Sequence, residues 1–382
     1  MTIFSPLRWA PIGLLYLLTL SCTSEINVTQ GTPGHGTITV LDSGGEHGDT
    51  GWWPSIALDG EDRPHLSYCD RYRGNLHYAT KIDGTWQNKA IISDGKVGKY
   101  TSLGVAQDGT VGISFYDQGQ LQLRYTWKSV GDDWKSENIA WGLEVGMASE
   151  LRFDANNQPH VFYYLPSGKL IHAMRNTQGK WTKQLVYEAT GGFTVRIDPH
   201  LRQDGIWLSF VDWGFKDLTL LLGQKSTAPN ASFQVETIFE REGPGWRSQL
   251  IFPETQPTPF LLYSLNFKRT LQIARKQNNK WKSDILLRNA GNFVAQTIKN
   301  GGIVVAAESL ENPKLMGGTL QLLRKSGDKW TKYPLDLNGP NASQLSMATT
   351  QRGEVIIAYY SKLIRGLKIY DETETKSPPI QN

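Results

Sequence analysis

The stretch Gly84-Thr85-Trp86-Gln87 recurs along this chain as Gly179-Lys180-Trp181-Thr182, Asn279-Lys280-Trp281-Lys282 and Asp328-Lys329-Trp330-Thr331. Each copy places a turn residue two positions before a tryptophan, and Trp134 and Phe233 fill the two gaps in the series. The six aromatic residues are separated by 48, 47, 52, 48 and 49 residues. A period of this length is typical of a four-stranded propeller blade, so this repeat decides the fold.

A second repeated pattern keeps the same phase as the first. Its copies are β-rich runs, several of which follow a turn such as Asp108-Gly109 or Asn156-Asn157. The copies are Pro64–Asp70, Val111–Asp117, Pro159–Leu165, Ile206–Asp212, Pro259–Leu265, Ile303–Ser309 and Val355–Ser361. Two patterns that stay in register over the whole chain predict an all-β protein with seven blades.

The two ends of the chain predict how the ring closes. After Tyr360 the chain supplies only one further strand, Leu367–Asp371, whereas Thr37–Ser43 has the pattern of an outer strand. Pairing these segments would complete the seventh blade and leave no full-length sheet edge exposed. We therefore predict a single seven-bladed β-propeller over residues 37–372, closed by an N-terminal strand that completes the last blade. A polar tail is expected over residues 373–382.

Residues 1–22 have the form of a secretory signal peptide. One positive charge, Arg8, precedes the apolar run Ile12–Leu20, and Ser21-Cys22 follows. This run is too short to span a bilayer, which needs about 20 residues. The segment Leu18–Cys22 resembles a bacterial lipobox, and the resemblance implies that Cys22 is lipidated and becomes the mature N-terminus. Plain secretion is the alternative, and residues 23–36 are expected to form a polar tether.

Charge and cysteine content narrow the partners. The formal charge of +4 is spread along the chain without a dense Lys/Arg run, which argues against nucleic acid as a partner. Only Cys22 and Cys69 are present, and no disulfide between them is expected, because Cys22 lies in the tether or is removed. We expect a monomeric propeller at the cell envelope, lipid-anchored to the outer membrane, with a periplasmic or secreted protein as the alternative.

The blades resemble those of a large group of exported bacterial propeller repeat proteins. Such blades read approximately S-L-A-x-D-x-x-G-x-P-H-x-S-Y-x-D, then L-x-Y-A, then G-x-W, and residues 53–188 follow this pattern most closely. Propellers host enzymes, lectins and scaffolds, so the resemblance implies the fold and leaves the function open. Asp83-Gly84-Thr85-Trp86 is also similar to the Asp-box of sialidases, and we interpret it as a turn and packing device.

One face of the propeller is predicted to bind the partner: the face of the loops that join second to third strands and blade to blade. Trp213 and Trp246 fall there and depart from the repeat, so packing alone does not account for them. Large aromatic residues beside charges are the usual anchors of a binding surface. For Asp70, Asp117 and Asp212, which share one repeat position, capping of turns is the alternative role. The predicted composite site contains Trp213, Trp246, Arg247, Lys216, Asp70, Arg71, Asp212, Arg269 and Glu308.

No catalytic residue, cofactor or metal ligand is predicted. His65 and His160 share one repeat position, and we align His77 with His172, which favours packing over metal binding. The predicted function is a non-catalytic binding or scaffold propeller at the bacterial cell envelope that presents one loop face to a glycan or protein partner. The alternative is a sialidase-like glycoside hydrolase, which needs two carboxyl groups, or a tyrosine with a supporting glutamate, across the scissile bond.

Overall fold

The computed structural model describes residues 24–32, 35–189, 197–213, 218–228, 231–239, 244–253, 258–265, 268–311, 318–339 and 344–374. In this part of the chain the strands form seven sheets. The innermost strand of each sheet contacts that of the next, and the last contacts the first, so the sheets form a closed ring. The predicted all-β, seven-bladed β-propeller is confirmed.

The first two strands along the chain lie outside the blade order and belong to the last two blades. They are β1 (Val28–Gln30) and β2 (Thr37–Asp42). Blades 1 to 3 follow, each from its innermost to its outermost strand. They contain β3 (Trp52–Leu58), β4 (Pro64–Asp70), β5 (Asn75–Ile82) and β6 (Thr85–Ile92); β7 (Lys99–Val105), β8 (Val111–Asp117), β9 (Gln122–Lys128) and β10 (Lys135–Trp141); and β11 (Glu150–Phe153), β12 (Pro159–Tyr164), β13 (Lys169–Arg175) and β14 (Trp181–Glu188).

Blades 4 to 7 repeat the same order, and one turn of 3-10 helix, Lys299–Gly301, lies in blade 6. Blades 4 and 5 contain β15 (Asp198–Arg202), β16 (Gly205–Trp213), β17 (Leu218–Lys225) and β18 (Gln234–Phe239), and then β19 (Pro244–Ile251), β20 (Phe260–Leu265), β21 (Thr270–Gln277) and β22 (Lys280–Arg288). Blades 6 and 7 contain β23 (Ala290–Ile298), β24 (Gly302–Ser309), β25 (Thr319–Ser326) and β26 (Lys329–Asp336), and then β27 (Leu345–Thr349), β28 (Val355–Ser361) and β29 (Gly366–Asp371).

The second repeated pattern of the sequence forms the second strand of each blade. Strands β4, β8 and β12 are buried along their whole length, because each lies inside a sheet with a neighbouring blade on either face. This position explains their nearly continuous apolar composition. Between β5 and β6, Asp83 and Gly84 have positive φ values of 48° and 75°, the conformation that a two-residue type I′ hairpin requires. The predicted turn is therefore observed.

The aromatic residue of the first pattern packs against the preceding blade. Seven apolar clusters lie between neighbouring blades, and six of them contain one of these aromatics. Trp330 of blade 6, only 2% exposed, packs with Leu262 and Leu286 of blade 5. Burying a side chain of this size contributes roughly 3 kcal/mol. The repeat thus marks the contacts that hold the blades together.

The ring closes as the sequence predicts. Strand β2 pairs antiparallel with β29, so that Thr37 lies opposite Asp371 and Asp42 lies opposite Leu367. The N-terminal strand is therefore the outermost strand of blade 7. Strands from both ends of the chain share one sheet, and the closure is stabilised by backbone hydrogen bonds.

The predicted tether is different in the structure, because the described part of it packs on the propeller. Strand β1 lies parallel to β26 and makes blade 6 five-stranded. The Ile26 N–H donates to the carbonyl of Ile285 in blade 5 at 2.9 Å, and Arg288 pairs with Glu25. Apolar Ile26 and Val28 pack against the cluster between blades 5 and 6. Residues 24–32 therefore form a strap across two blades; Cys22 lies outside the described residues.

The last strand, β29, ends at Asp371, next to the predicted end of the propeller at residue 372. Glu374, two residues past the expected boundary, accepts a hydrogen bond from the Thr37 hydroxyl at 2.8 Å and pairs with Lys81. Glu374 of the predicted tail thus contacts blades 7 and 1 through its side chain. None of the helices in the described ranges is long and apolar enough to cross a membrane.

Candidate functional site

A cavity of about 980 Å³ runs between the seven innermost strands. We compare the innermost strands by the residue that each position pairs with on the second strand of its blade. At one equivalent position, each innermost strand contributes one residue to a common level of the cavity. Six of the seven residues are polar, and we call them the middle ring. The middle ring contains Ser55, Ser102, Glu150, Asp198, Gln249, Val294 and Ser346.

The middle ring fastens neighbouring blades. At five junctions its side chain accepts a hydrogen bond from a backbone N–H of the next blade. The donors and acceptors are Ile56 N to Ser346 Oγ (3.0 Å), Leu103 N to Ser55 Oγ (2.8 Å), Leu151 N to Ser102 Oγ (3.0 Å), Leu250 N to Asp198 Oδ2 (2.7 Å) and Ala295 N to Gln249 Oε1 (2.8 Å). Most polar side chains of this ring are thus used for structure.

Ion pairs replace this bond between blades 3 and 4. The residue at the donor position there is Pro199, which has no backbone N–H to donate. Arg152 instead contacts Glu150 at 3.1 Å and Asp198 at 3.7 Å, and His200 lies 2.8 Å from Asp198. Burial favours a raised pKa for Asp198, but His200, Arg152 and the Leu250 N–H outweigh it and hold the pKa below its usual value. The Asp198 carboxylate therefore stays ionised.

The mouth of the cavity lies two residues earlier on each innermost strand. We call the described residues of this level the mouth ring. It contains Trp53, Tyr100, Ala148, Arg247, Asn292 and Gln344. Strands β3 and β7 bulge at this level, and Trp53 and Tyr100 have positive φ values of 51° and 56°. Bulky residues rarely adopt this conformation, which costs about 1–3 kcal/mol.

An aromatic platform occupies the part of the mouth formed by blades 7, 1 and 2. The ring centroids are 4.7 Å apart for Tyr360 and Trp52, 5.5 Å for Trp52 and Trp53, and 4.6 Å for Trp53 and Tyr100. The Arg71 guanidinium lies 4.5 Å from the centre of Trp52. Trp52, Trp53 and Tyr100 are half-buried, so part of each ring remains open to a ligand.

Hydrogen bonds fix this platform in place. Asp49 accepts bonds from the Trp52 indole at 2.7 Å and from the Tyr360 hydroxyl at 2.6 Å. Gln344 accepts a bond from the backbone N–H of Trp53, and the Thr101 hydroxyl donates to the Trp53 carbonyl at 2.8 Å. Because the bonds of Trp53 use backbone atoms, its indole is available for contact. A rigid aromatic surface beside amide and guanidinium groups suits a ligand with both apolar and hydroxylated faces.

Two of the predicted site residues lie at this mouth. Arg71 stacks on Trp52, and Arg247 lines the cavity, donates to the Leu345 carbonyl at 3.4 Å and lies over Phe293. Arg269 is exposed, and its carbonyl accepts the Ala290 N–H in a blade-to-blade connection.

The predicted acidic residues are buried and make hydrogen bonds within the propeller. Asp70 is 2% exposed and binds the backbone and side chain of Arg73, so it caps its turn. Asp117 caps the equivalent turn by accepting the Gln120 N–H. Asp212 accepts the Tyr187 hydroxyl at 2.8 Å. Glu308 is buried and accepts backbone N–H groups of Asn292 and Gly318. The turn-capping alternative therefore holds for Asp70 and Asp117.

The placement of the two tryptophans in loops is wrong. Trp213 is the last residue of β16, and Trp246 lies within β19, at a level adjacent to the mouth ring. Both positions were predicted to be loops because they fall outside the repeat pattern. The side chains of these two tryptophans, and all of Lys216, lie outside what the structure describes.

The histidines pair in a way that the sequence alignment missed. His65 Nδ1 lies 2.6 Å from the Tyr78 hydroxyl, and His160 Nδ1 lies 2.8 Å from His172 Nε2. His172 therefore corresponds to Tyr78 and not to His77, one residue away from our alignment. His172 packs against Phe233 of blade 4. Among the described residues, no three His, Cys, Asp or Glu side chains come together as ligands of a metal.

The arrangement of carboxyl groups does not favour a hydrolase. Glu150 and Asp198 line the cavity but are joined by Arg152. A general acid needs a raised pKa, whereas the pKa of Asp198 is lowered. The predicted composite site does not include the aromatic platform. Its signal was available, because Trp52, Trp53 and Tyr100 stand where each innermost strand begins.

Comparison with known proteins shows the fold alone. No family model matches the chain, and no curated protein matches it by sequence. Among solved structures, YCF48 bound to D1 peptide is similar with a TM-score of 0.58 and 11% identity, over 90% of this chain and 99% of that one. The SapL1 lectin in complex with alpha methyl fucoside is similar with a TM-score of 0.51 and 11% identity, over 76% and 98%. A protein of unknown function from Dyadobacter fermentans has a TM-score of 0.50 and 10% identity, over 91% and 98%.

Proposed function

We propose that this protein is a non-catalytic propeller that binds a carbohydrate at the mouth of its central cavity. The observation that carries the proposal is the pair Trp53 and Tyr100, whose half-buried rings lie 4.6 Å apart at the mouth. Both residues hold a backbone conformation that glycine adopts without strain. The bulky side chains are therefore present at an energetic cost, and a contact with a ligand accounts for them.

The chemistry around the pair fits a sugar. Aromatic rings pack against the C–H faces of a pyranose, while Gln344, Asn292 and Arg247 bring amide and guanidinium groups to the same mouth. The SapL1 lectin, which is similar in fold, forms a complex with alpha methyl fucoside, and this supports carbohydrate as the ligand class. YCF48 binds a peptide, so a protein partner is the outcome to be distinguished by experiment.

Trp53→Ala is expected to weaken sugar binding by about 10- to 100-fold, because truncation of an interface anchor costs roughly 1–3 kcal/mol. The fold is expected to persist, since the backbone bonds of Trp53 remain. The measurement is a glycan array with the soluble propeller, followed by calorimetric titration of the best sugar. Val130→Ala is the control: Val130 is 79% exposed, on the opposite face. Equal affinity of wild type and Trp53→Ala would place the site elsewhere, and retention of proteins but no glycan would favour a protein partner.

We also propose that the protein is exported and anchored at the cell envelope through Cys22. The basis is the signal-like segment 1–22 and its lipobox-like end. The Ser24 hydroxyl donates a hydrogen bond to Asp284 of blade 5, so the described residues nearest to Cys22 lie against that blade.

Cys22→Ser is expected to move the protein from the membrane to the soluble fraction. The check is fractionation with mass spectrometry of the mature N-terminus, and Cys69→Ser is the matched control. Cys69 is buried, and burial raises the pKa of its thiol to about 12, so it is unreactive. A wild-type protein that is already soluble, with a different N-terminus, would favour plain secretion.

A further inference from the structure

Blade 2 carries an exposed apolar patch on the face that contains the mouth. Trp141 is 66% exposed, Leu143 is 63% exposed and Leu121 is 40% exposed. A tryptophan is rarely this exposed unless it contacts a partner, and an apolar patch of this kind marks an interaction surface. The repeat does not account for the patch, since the two clusters that the described residues form on either side of blade 2 contain none of these three residues.

The patch belongs to an ordered loop. The Gly142 N–H donates to the Leu121 carbonyl at 2.8 Å. This bond joins the segment after the outermost strand, β10, to the loop between β8 and β9. Val145, 2% exposed, inserts into the cluster between blades 2 and 3 and anchors the segment. Trp141 and Leu143 are therefore held at the surface by their neighbours.

The patch is linked to the aromatic platform through one hydrogen bond and one strand pair. The Glu144 N–H donates to the Tyr116 hydroxyl at 3.1 Å. Tyr116 lies opposite Lys99 on the neighbouring strand, and Lys99 precedes Tyr100 of the mouth ring. Blade 2 thus carries one aromatic residue, Tyr100, on its innermost strand and another, Trp141, on its outermost strand. The paired strands of the sheet hold the two residues at a set separation.

The distance between the two ends limits the ligand. Tyr100 lies on β7, the innermost strand, and Trp141 lies on β10, the outermost strand of the same sheet. Adjacent strands are about 4.8 Å apart, so three spacings separate these strands by roughly 14 Å. One sugar ring cannot reach both residues, whereas a chain of several units can.

We infer that the patch formed by Leu121, Trp141 and Leu143 is a second sugar subsite, and that the ligand is an extended oligosaccharide. The chain runs from the mouth outward over blade 2, with one end on the platform of Trp53 and Tyr100 and a later unit on Trp141. This inference rests on the proposed function. A membrane surface is the outcome to be distinguished, and exposed Glu144, the neighbour of Leu143 in the chain, would repel anionic lipid.

The test is the dependence of affinity on chain length. Manno-, chito- and cello-oligosaccharides of one to six units are titrated into wild type, Trp141→Ala, Trp141→Phe and Val130→Ala. For the series that binds, wild type and Val130→Ala are expected to gain at least about tenfold between one and six units. Trp141→Ala is expected to lose most of this gain, and Trp141→Phe to recover part of it because an aromatic ring remains.

The outcomes separate the two proposals. An unchanged length dependence in Trp141→Ala overturns the second subsite while leaving the mouth site intact. A wild-type protein that binds sugars no more tightly as they lengthen overturns it as well. Failure of every series, together with failure on the array, contradicts the proposed function itself. Vesicles of phosphatidylcholine with 20% phosphatidylglycerol form a further arm, since binding to them that depends on Trp141 would assign the patch to a membrane.

Discussion

Deletion of residues 24–44 is expected to unfold the propeller under conditions in which the full chain is stable. The deletion removes β2, so that β29 becomes an unpaired edge in the last blade. It also removes Asp42, which accepts the hydroxyl of fully buried Tyr68 at 2.9 Å, and an unpaired buried group costs about 1–3 kcal/mol. The loss of Ile26 and Val28 adds roughly 2 kcal/mol. With the broken backbone bonds of β2 the total reaches about 5 kcal/mol, comparable with the whole stability of an ordinary domain. Urea unfolding followed by circular dichroism measures it.

A single substitution tests the same closure without removing chain. A Cβ at position 366 would lie 2.4 Å from the Asp42 carbonyl oxygen, so Gly366→Ala forces β2 away from β29. We expect a loss of about 1–3 kcal/mol, as for other overpacked sites. Gly60→Ala is the matched control, since a Cβ there meets nothing within 4 Å, and it should change stability by less than about 0.5 kcal/mol. Equal effects from the two variants would refute the closure.

The strap is expected to have a smaller effect of its own. Deletion of residues 24–32 retains β2 but removes Ile26 and Val28 from the cluster between blades 5 and 6. Two half-buried apolar side chains contribute roughly 2 kcal/mol together, and the exposed Glu25–Arg288 pair adds little. A stability equal to that of the full chain would restore the view of this segment as a free tether.

The fold was predictable because the same packing problem recurs in every blade. In six of the seven blades a large aromatic at the outer strand fills the gap to the preceding blade, so Trp86, Trp134 and Trp330 recur at one period. Each second strand is buried on both faces, so its apolar run recurs as well. The strap was missed because β1 belongs to no repeat, and its short polar sequence resembles a linker.

The site was harder to predict, because a binding site is where the blades differ. Asp70 was predicted as a site residue because it is acidic and lies next to a loop, yet its carboxylate accepts a hydrogen bond within its own turn. Trp53 and Tyr100 were visible in the sequence, but their role depends on the bulges that bring them together at the mouth. A bulge adds one residue to a strand without a distinctive residue type, so only the three-dimensional register reveals it.

The propeller is expected to lose stability as the pH falls below about 6.5. His160 and His172 share a hydrogen bond in blade 3, in which one neutral ring donates and the other accepts. Their rings pack on Phe162 and Phe233, and the nearby charged groups are Asp154 and Lys225. Burial, together with the positive charge of the neighbours, lowers the pKa of His172 to about 3. Burial also lowers the pKa of His160 and of His65 in blade 1.

A histidine with a lowered pKa in the folded state binds its proton only after unfolding. Its contribution to stability is complete above the unfolded pKa of 6.5 and is lost as the pH falls from 6.5 towards the folded value. At pH 5.0, well above the folded pKa of His172, this single residue should cost about 2 kcal/mol, since each pH unit below 6.5 costs about 1.4 kcal/mol. His160 and His65 act in the same direction. Urea unfolding at pH 7.5 and at pH 5.0 measures the difference, in a range where most carboxyl groups remain ionised.

His172→Tyr separates the buried pair from the other titrating groups. The substitution copies blade 1, in which the Tyr78 hydroxyl occupies the equivalent position and bonds His65 at 2.6 Å. Between pH 7.5 and pH 5.0, we expect the free energy of unfolding of the variant to fall by about 2 kcal/mol less than that of wild type. The larger ring can lower the stability of the variant at pH 7.5 without changing this difference. His172→Gln, which is smaller, should show the same reduction in pH dependence. His47→Gln is the control, because His47 is exposed. If the pH dependence of both His172 variants equals that of wild type, the buried pair is not the source of the acid sensitivity.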